Sequence, residues 1–354
     1  QPAFHKERIS HFGEVIAKAG EDLATEARLH IGTGRPVDVA ELMMKVTLRL
    51  VGETLLSTDF TGDSARVGDA LTFINEDTIR RIQHPLGLPL SVPTRRNRRY
   101  SEALAELNSI VDRTIRERRR RQHSSDAPHD LLTMLMEARD ADTGEGMTDV
   151  QLRDEVMTIM LAGHETTANA LAWTFYLLSK APAVRQKLEA ELESVLGGRT
   201  PTSADVPSLK YTRMVLDESM RLYPPAHTLA RAAAEDDEIG GYVIPKNSLV
   251  FVVPYAVHRN PKVWENPEGF DPERFSPERL AAQPRYAYLP FGGGPRLCIG
   301  QTFALMEAQL LLATLCQRLR FDLEPGHVVE AEPLITLRPK HGMPMRVTAA
   351  RLSP

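Results

Sequence analysis

Apolar residues recur every three to four positions over roughly 8–30, 38–57, 64–82 and 95–120, and each stretch carries charged residues on its other face. That spacing predicts four amphipathic helices packed on a common core. From Thr148 to Lys180 no proline interrupts the chain, and Thr148 with Gln151 forms a capping-box start. A single helix of about 50 Å is predicted there, long enough to cross the whole domain. Further helices are predicted at 181–196 and 208–222. A small β-hairpin is predicted where Gly240, Gly241, Tyr242, Val243, Ile244 and Pro245 precede 248–253, and a last apolar helix over 299–319.

Proline marks the main division. Between 101 and 200 it occurs at Pro128 and Pro182, whereas thirteen of the 25 prolines fall from Pro201 to Pro295. Because proline removes a backbone donor and blocks helix interiors, residues 1–200 are expected to be mostly helical and 201–298 rich in turns, coil and short strands. The fold class is therefore mainly α with a coil-rich second half. The polar segment 122–129 reads as a loop, and the run Arg118, Arg119, Arg120, Arg121 before it as a basic helix end favoured by the helix dipole, in preference to a nucleic-acid site.

Composition narrows the choices. With 354 residues, 42% hydrophobic and 25% charged, the chain is globular, and 43 basic against 47 acidic residues leave a net charge of -4, which gives no bulk attraction for nucleic acid. No stretch of about 18 apolar residues occurs, so no membrane span is expected. Two cysteines, Cys298 and Cys316, cannot build a disulfide framework; a reducing, cytoplasmic setting and a thiol with a specific task are expected.

That thiol is Cys298. It follows Phe291, Gly292, Gly293, Gly294, Pro295, Arg296 and Leu297 and precedes Ile299, Gly300 and the last helix. Glycines let the backbone turn sharply and approach a flat ligand, and a sulfur at a helix N-terminus receives the positive dipole end, so a thiolate is expected. A thiolate on a loop over which a macrocycle can lie suits the fifth ligand of an iron porphyrin. An inert cysteine in a Gly-rich turn is the alternative; phosphate binding is not, since no Lys-Ser or Lys-Thr follows the glycines.

The stretch from Phe291 to Gly300 resembles the haem-binding loop of the cytochrome P-450 haem-thiolate monooxygenases. Three more motifs follow the family's pattern and order: Ala162, Gly163, His164, Glu165, Thr166, Thr167; then Glu218, Ser219, Met220, Arg221; then Pro272, Glu273, Arg274, Phe275. The resemblance implies a single cytochrome P-450 domain over 1–354, with haem b as cofactor and Cys298 as the metal ligand. Arg296 and Arg231 would be propionate partners, and Phe291, Gly292, Gly300, Ala162 and Gly163 further cofactor contacts. Glu165 and Thr166 would be an acid–alcohol pair delivering protons. Glu218, Arg221 and Arg274 would be a structural triad around the cysteine loop. By the same analogy Ile159, Ala226, His227, Leu229, Leu334 and Ile335 would line an apolar substrate pocket. His258 and His164 are left outside the site.

The implied reaction inserts one atom of O2 into a lipophilic small molecule, by hydroxylation or epoxidation. No flavin, nicotinamide or iron–sulfur motif appears, so a separate ferredoxin or flavoprotein would supply electrons, drawn indirectly from NAD(P)H. A peroxide-driven hydroxylase and a haem-binding sensor or inactive remnant are the alternatives. The family's front portion, with an early strand pair and a propionate-contacting helix, has no counterpart after Gln1. The 354 residues are therefore expected to be a fragment of a longer protein and to hold haem weakly or not at all alone.

Overall fold

The structure, a computed structural model, describes residues 12–58, 62, 64–84, 87–121, 130–140 and 142–350. The expected 122–129 loop lies outside the described residues. In chain order the elements are α1 (Gly13–Arg28), β1 (Val37–Asp38) and α2 (Val39–Leu50), whose end widens into a π-helical turn (Val51–Leu55). Next come α3 (Ser64–Gln83), α4 (Arg95–Arg121), α5 (Leu131–Glu137), α6 (Asp149–Lys180), α7 (Pro182–Leu196) and α8 (Lys210–Leu222). After α8 the chain forms β2 (Leu229–Ala232), β3 (Asp237–Ile239), β4 (Tyr242–Ile244), β5 (Leu249–Val252), α9 (Pro254–Val257) and α10 (Pro277–Ala281). It ends with α11 (Gln301–Arg318), β6 (Leu319–Leu323), β7 (Ala331–Pro333), β8 (Leu337–Pro339) and β9 (Pro344–Ala349).

Local chemistry sets the boundaries. Thr148 and Gln151 close the predicted capping box on α6, satisfying two of the amide groups that a helix start leaves without partners. Asp38 accepts from the amides of Ala40 and Glu41 to start α2, and the same carboxylate takes the Met343 amide at 2.9 Å, tying that helix start to the β-sheet. Proline at the first turn opens α7, and Gly197 in the left-handed region closes it.

The expected helix α6 runs through the centre, packed on α2, α4, α8 and α11. Its side chains are buried almost all round from Thr167 to Leu178, which suits a helix enclosed by others rather than one lying on a surface. Residues 201–298 carry few regular elements, as the prolines imply.

Two expectations are corrected. The hairpin turns at Gly240 and Gly241, both at positive φ, but it joins β3 to β4; the strand at 249–252 pairs instead with β2, with Leu229 opposite Val252. The turn chemistry was right and the partner strand wrong, because a two-residue turn fixes only its own flanks. In the basic run, Arg118 is not part of a solvated helix end. It is buried and bonded to Asp130, to the Thr133 hydroxyl at 2.7 Å and to the Leu56 carbonyl at 2.9 Å, pinning α4 to the start of α5.

Candidate active site

The Cys298 loop takes its shape from backbone that other residues rarely adopt. Gly292 and Gly294 have φ of 74° and 66°, and a side chain on Gly293 would come within 2.8 Å of the Tyr286 ring. The Leu297 amide bonds to the Gly294 carbonyl at 3.0 Å and the Cys298 amide to the Phe291 carbonyl at 3.0 Å, folding the loop back before α11 begins. Burial pushes the Cys298 thiol up from its ordinary pKa, while the amides of Gly300 and Gln301 pull it down. The two amides at the start of α11 supply the stabilisation of negative charge expected at a helix N-terminus, working against desolvation.

The triad residues meet below this loop. Arg221 donates to both oxygens of Glu218, at 2.7 and 2.9 Å, and Arg274 reaches Glu218 at 3.3 Å; all three side chains are buried. Arg221 also takes the carbonyls of His258, Pro267 and Gly269, and Arg274 that of Asn266. His258, which sequence reasoning left out, is fully buried and held neutral by burial, with its pKa lowered to about 4. Its Nε2 accepts from the Leu289 amide at 2.9 Å, which carries the triad's hold on to the cysteine loop.

Above the loop lies a cavity of about 320 Å³. Cys298, Arg296, Arg231, Phe291, Gly292, Gly300, Ala162, Gly163 and Thr166 all line it, and so do Ile159, Ala226 and Leu229. His227, Leu334 and Ile335 do not. His227 bonds through Nε2 to the Leu334 carbonyl at 2.8 Å, so it fastens the wall rather than facing the space, and Ile335 is exposed. Leu216 and Met220 on α8 and Phe303, Ala304 and Leu305 on α11 also line the cavity and were missed; α11 is buried along most of its length, so its apolar residues give no sign of which face meets a ligand. A wider polar groove of about 780 Å³ beside α7 and α11 has its arginines engaged, Arg320 with Glu189 and Arg185 with Asp322.

On α6, the Thr166 hydroxyl donates to the Ala162 carbonyl at 2.7 Å. Glu165 is not among the cavity-lining residues; its oxygens accept from Asn75 at 2.7 Å and Thr336 at 2.6 Å. Gly163 has a packing reason as well as a place on the cavity, since a Cβ there would stand 3.0 Å from a Val51 methyl in the π-helical turn. His164, buried against Met44, is held neutral with its pKa lowered to about 4 by burial. On α11, Glu307 is wholly buried, and burial raises its carboxyl to about 8. The Thr167 hydroxyl lies near enough to favour its ionised form, but no hydrogen bond of proper geometry forms to either oxygen.

A mainly helical domain that offers one cysteine from a glycine-turned loop to an apolar cavity, beneath a central helix bearing a threonine, defines a haem-thiolate class of site. The Cytochrome P-450 family model matches residues 1–344, and the chain belongs to that family. Cyclooctatin synthase of Streptomyces melanosporofaciens is 40% identical over 341 residues, covering 95% of this chain and 72% of that protein. Pentalenene oxygenase of Streptomyces avermitilis is 35% identical over 350 residues, 99% of this chain and 76% of that one. The crystal structure of the cytochrome P-450DA heme domain superposes with a TM-score of 0.87 at 31% identity, covering 99% of this chain and 76% of that one. The protein is a cytochrome P-450 monooxygenase, an oxidoreductase. No helix among the described residues is long and apolar enough to cross a membrane.

The family implies haem, and the residues present fit it. The cavity is mostly apolar, its polar lining being Thr166, Thr167, Cys298 and two arginines, Arg231 and Arg296, neither of which forms an ion pair among the described residues. Two unneutralised cations beside an apolar slot suit a planar apolar ligand with two carboxylates at one edge.

Proposed function

We propose that this monooxygenase oxidises a cyclic terpenoid, with electrons from NAD(P)H passed through a separate ferredoxin or flavoprotein. The observation that carries the substrate class is the cavity wall above the cysteine. Ile159, Ala226, Leu229 and Leu55 offer no charge and no fixed hydrogen-bond donor to a substrate, so recognition rests on shape and apolar burial. The names of the relatives, cyclooctat-9-en-7-ol 5-monooxygenase and pentalenene oxygenase among them, support a compact cyclic skeleton over a long charged chain.

In this reading Cys298 would hold the haem iron through Sγ, with the Gly300 and Gln301 amides stabilising its negative charge. Arg231 and Arg296 would hold the propionates, and Phe291, Gly292, Gly300, Ala162 and Gly163 would be further contacts to the group. The bound haem supplies oxygen activation and accepts the electrons. Thr166 turns its hydroxyl from the Ala162 carbonyl towards the cavity, holds a hydrogen bond there and passes a proton in. Glu165, next to it on α6, takes up a proton from solvent and passes it on to restore the hydroxyl. The apolar wall excludes water, which limits loss of reducing equivalents to side reactions.

Optical titration of haem-loaded protein tests the substrate class. Cyclic terpene hydrocarbons and alcohols should shift the haem absorption at low micromolar concentration, with saturated fatty acids weaker by at least about tenfold. Equal or tighter binding of the fatty acids would overturn the assignment.

A further inference from the structure

Glu165 is held by two side chains from distant parts of the chain, Asn75 and Thr336. Thr336, in the turn between β7 and β8, is buried; its hydroxyl accepts from Asn169 at 3.0 Å and donates to Glu165 Oε1 at 2.6 Å. A hydroxyl has one proton. With Asn169 donating to Thr336, that proton is committed to the carboxylate, and the short distance is that of a charge-assisted bond. Asn75 on α3 donates to the other oxygen at 2.7 Å.

The turn bearing Thr336 is itself fixed. Trp173 donates to the Leu337 carbonyl at 3.0 Å, the Leu337 amide donates to the Pro225 carbonyl at 3.0 Å, and His227 bonds to the Leu334 carbonyl. The hydroxyl is thus held from α6 and from the segment that leads to Ala226 and Leu229 on the cavity wall. It serves two groups at once, as acceptor for the buried Asn169 amide and as donor to Glu165.

We propose that Thr336, assisted by Asn75 and Asn169, is a positioning residue that sets where the Glu165 carboxylate stands relative to Thr166. This rests on the reading of Glu165 and Thr166 as the proton-delivering pair. It adds residues that the loop and helix motifs do not contain; Thr336 lies 171 positions and Asn75 90 positions along the chain from Glu165.

The test uses haem-loaded protein reduced through a ferredoxin system without substrate, where dioxygen leaves either as hydrogen peroxide after two electrons and two protons or as water after four of each. Poor proton delivery raises the peroxide share. Thr336→Val removes the hydroxyl at nearly constant shape and should raise the peroxide-to-water ratio about tenfold, the equivalent of one charge-assisted bond. Thr336→Ser should stay within about twofold of the parent, and Asn75→Ala should move in the direction of Thr336→Val. In the Glu165→Gln background Thr336→Val should add nothing. A second readout is independent of turnover: the carboxylate infrared band isolated by subtracting the Glu165→Gln spectrum should shift in Thr336→Val and not in Thr336→Ser.

A raised ratio in Glu165→Gln with parent values and a parent band in Thr336→Val would overturn the positioning role while leaving the proton pair intact. An unchanged ratio in Glu165→Gln would instead overturn the proton pair, and the infrared band would then decide alone whether Thr336 holds the carboxylate. A Thr336→Val effect that persists in full beside Glu165→Gln would show a merely structural role.

Discussion

Glu307→Gln should stabilise the protein at pH 8 and not at pH 5. Glu307 is wholly buried on α11, and burial raises its carboxyl from 4.5 to about 8 against a weaker opposing pull from Thr167. An acid whose folded pKa lies above its unfolded value holds its proton more tightly when folded. The unfolded chain therefore binds fewer protons between the two values, and stability falls as pH rises. Below 4.5 nothing is lost; the loss grows through the window from 4.5 to 8 and then levels off. At 1.36 kcal/mol per unit, a span of 8 minus 4.5 corresponds to about 5 kcal/mol at the plateau and about 3 kcal/mol at pH 7. Glutamine keeps the shape and never ionises, though its buried amide still lacks partners and costs about 1–3 kcal/mol at every pH. Urea titrations of parent and variant at pH 5, 6, 7 and 8 should give free-energy curves that cross, with the variant less stable at pH 5 and more stable at pH 8 by roughly 2 kcal/mol or more. Other buried acids, Asp217 and Glu218 among them, are common to both proteins and cancel in the difference. Parallel curves would falsify the reasoning, because they would mean that Glu307 has the same proton affinity folded and unfolded.

Cys298→Ser should abolish the strongly red-shifted carbon monoxide absorption expected of the reduced haem-loaded parent, leaving at most an unshifted band; a parent-like band in the variant would place the ligand elsewhere. Thr166→Ala should keep haem content and that absorption while diverting reducing equivalents to peroxide, measured as product formed per NAD(P)H consumed, and unchanged coupling would remove Thr166 from the proton path. Arg221→Ala leaves buried Glu218 with Arg274, at 3.3 Å, as its remaining cation beside the Asp271 amide at 2.9 Å, which should cost about 3–5 kcal/mol and show as poor recovery of folded protein; normal yield and an unchanged urea midpoint would contradict this.

Much of the site was readable because its chemistry is local in sequence. The capping box at Thr148, the glycines at 292 and 294 and the Glu218–Arg221 spacing each act within a few residues, so type and position alone carry the argument. What could not be read depends on distant segments meeting. Arg118 finds Asp130 from twelve positions away, β5 finds β2 across the β3–β4 hairpin, and Thr336 reaches Glu165 from the far end of the chain. Glu307 was hidden for the opposite reason. In an apolar helix a lone acid reads as the solvent face, and only enclosure by neighbouring helices on every side makes it buried.

The same contrast explains how the sulfur is placed. The Cys298 loop has few side-chain contacts of its own, yet its geometry must hold against solvent on its exposed residues Leu297 and Ile299. Its register comes from below. Glu218 pairs with both Arg221 and Arg274, one carboxylate against two cations; those guanidiniums gather four backbone carbonyls from Asn266, Pro267, Gly269 and His258; and the neutral His258 ring takes the Leu289 amide two residues before Phe291. Each link needs the charge state of the one before it. If His258 were protonated its Nε2 could not accept from Leu289, and burial, by holding that ring's pKa near 4, keeps the link made throughout the neutral range. The buried ion network is therefore costly in desolvation but useful for direction: it fixes carbonyls and one amide that no apolar core could orient, and so sets the backbone that leads into the Cys298 loop.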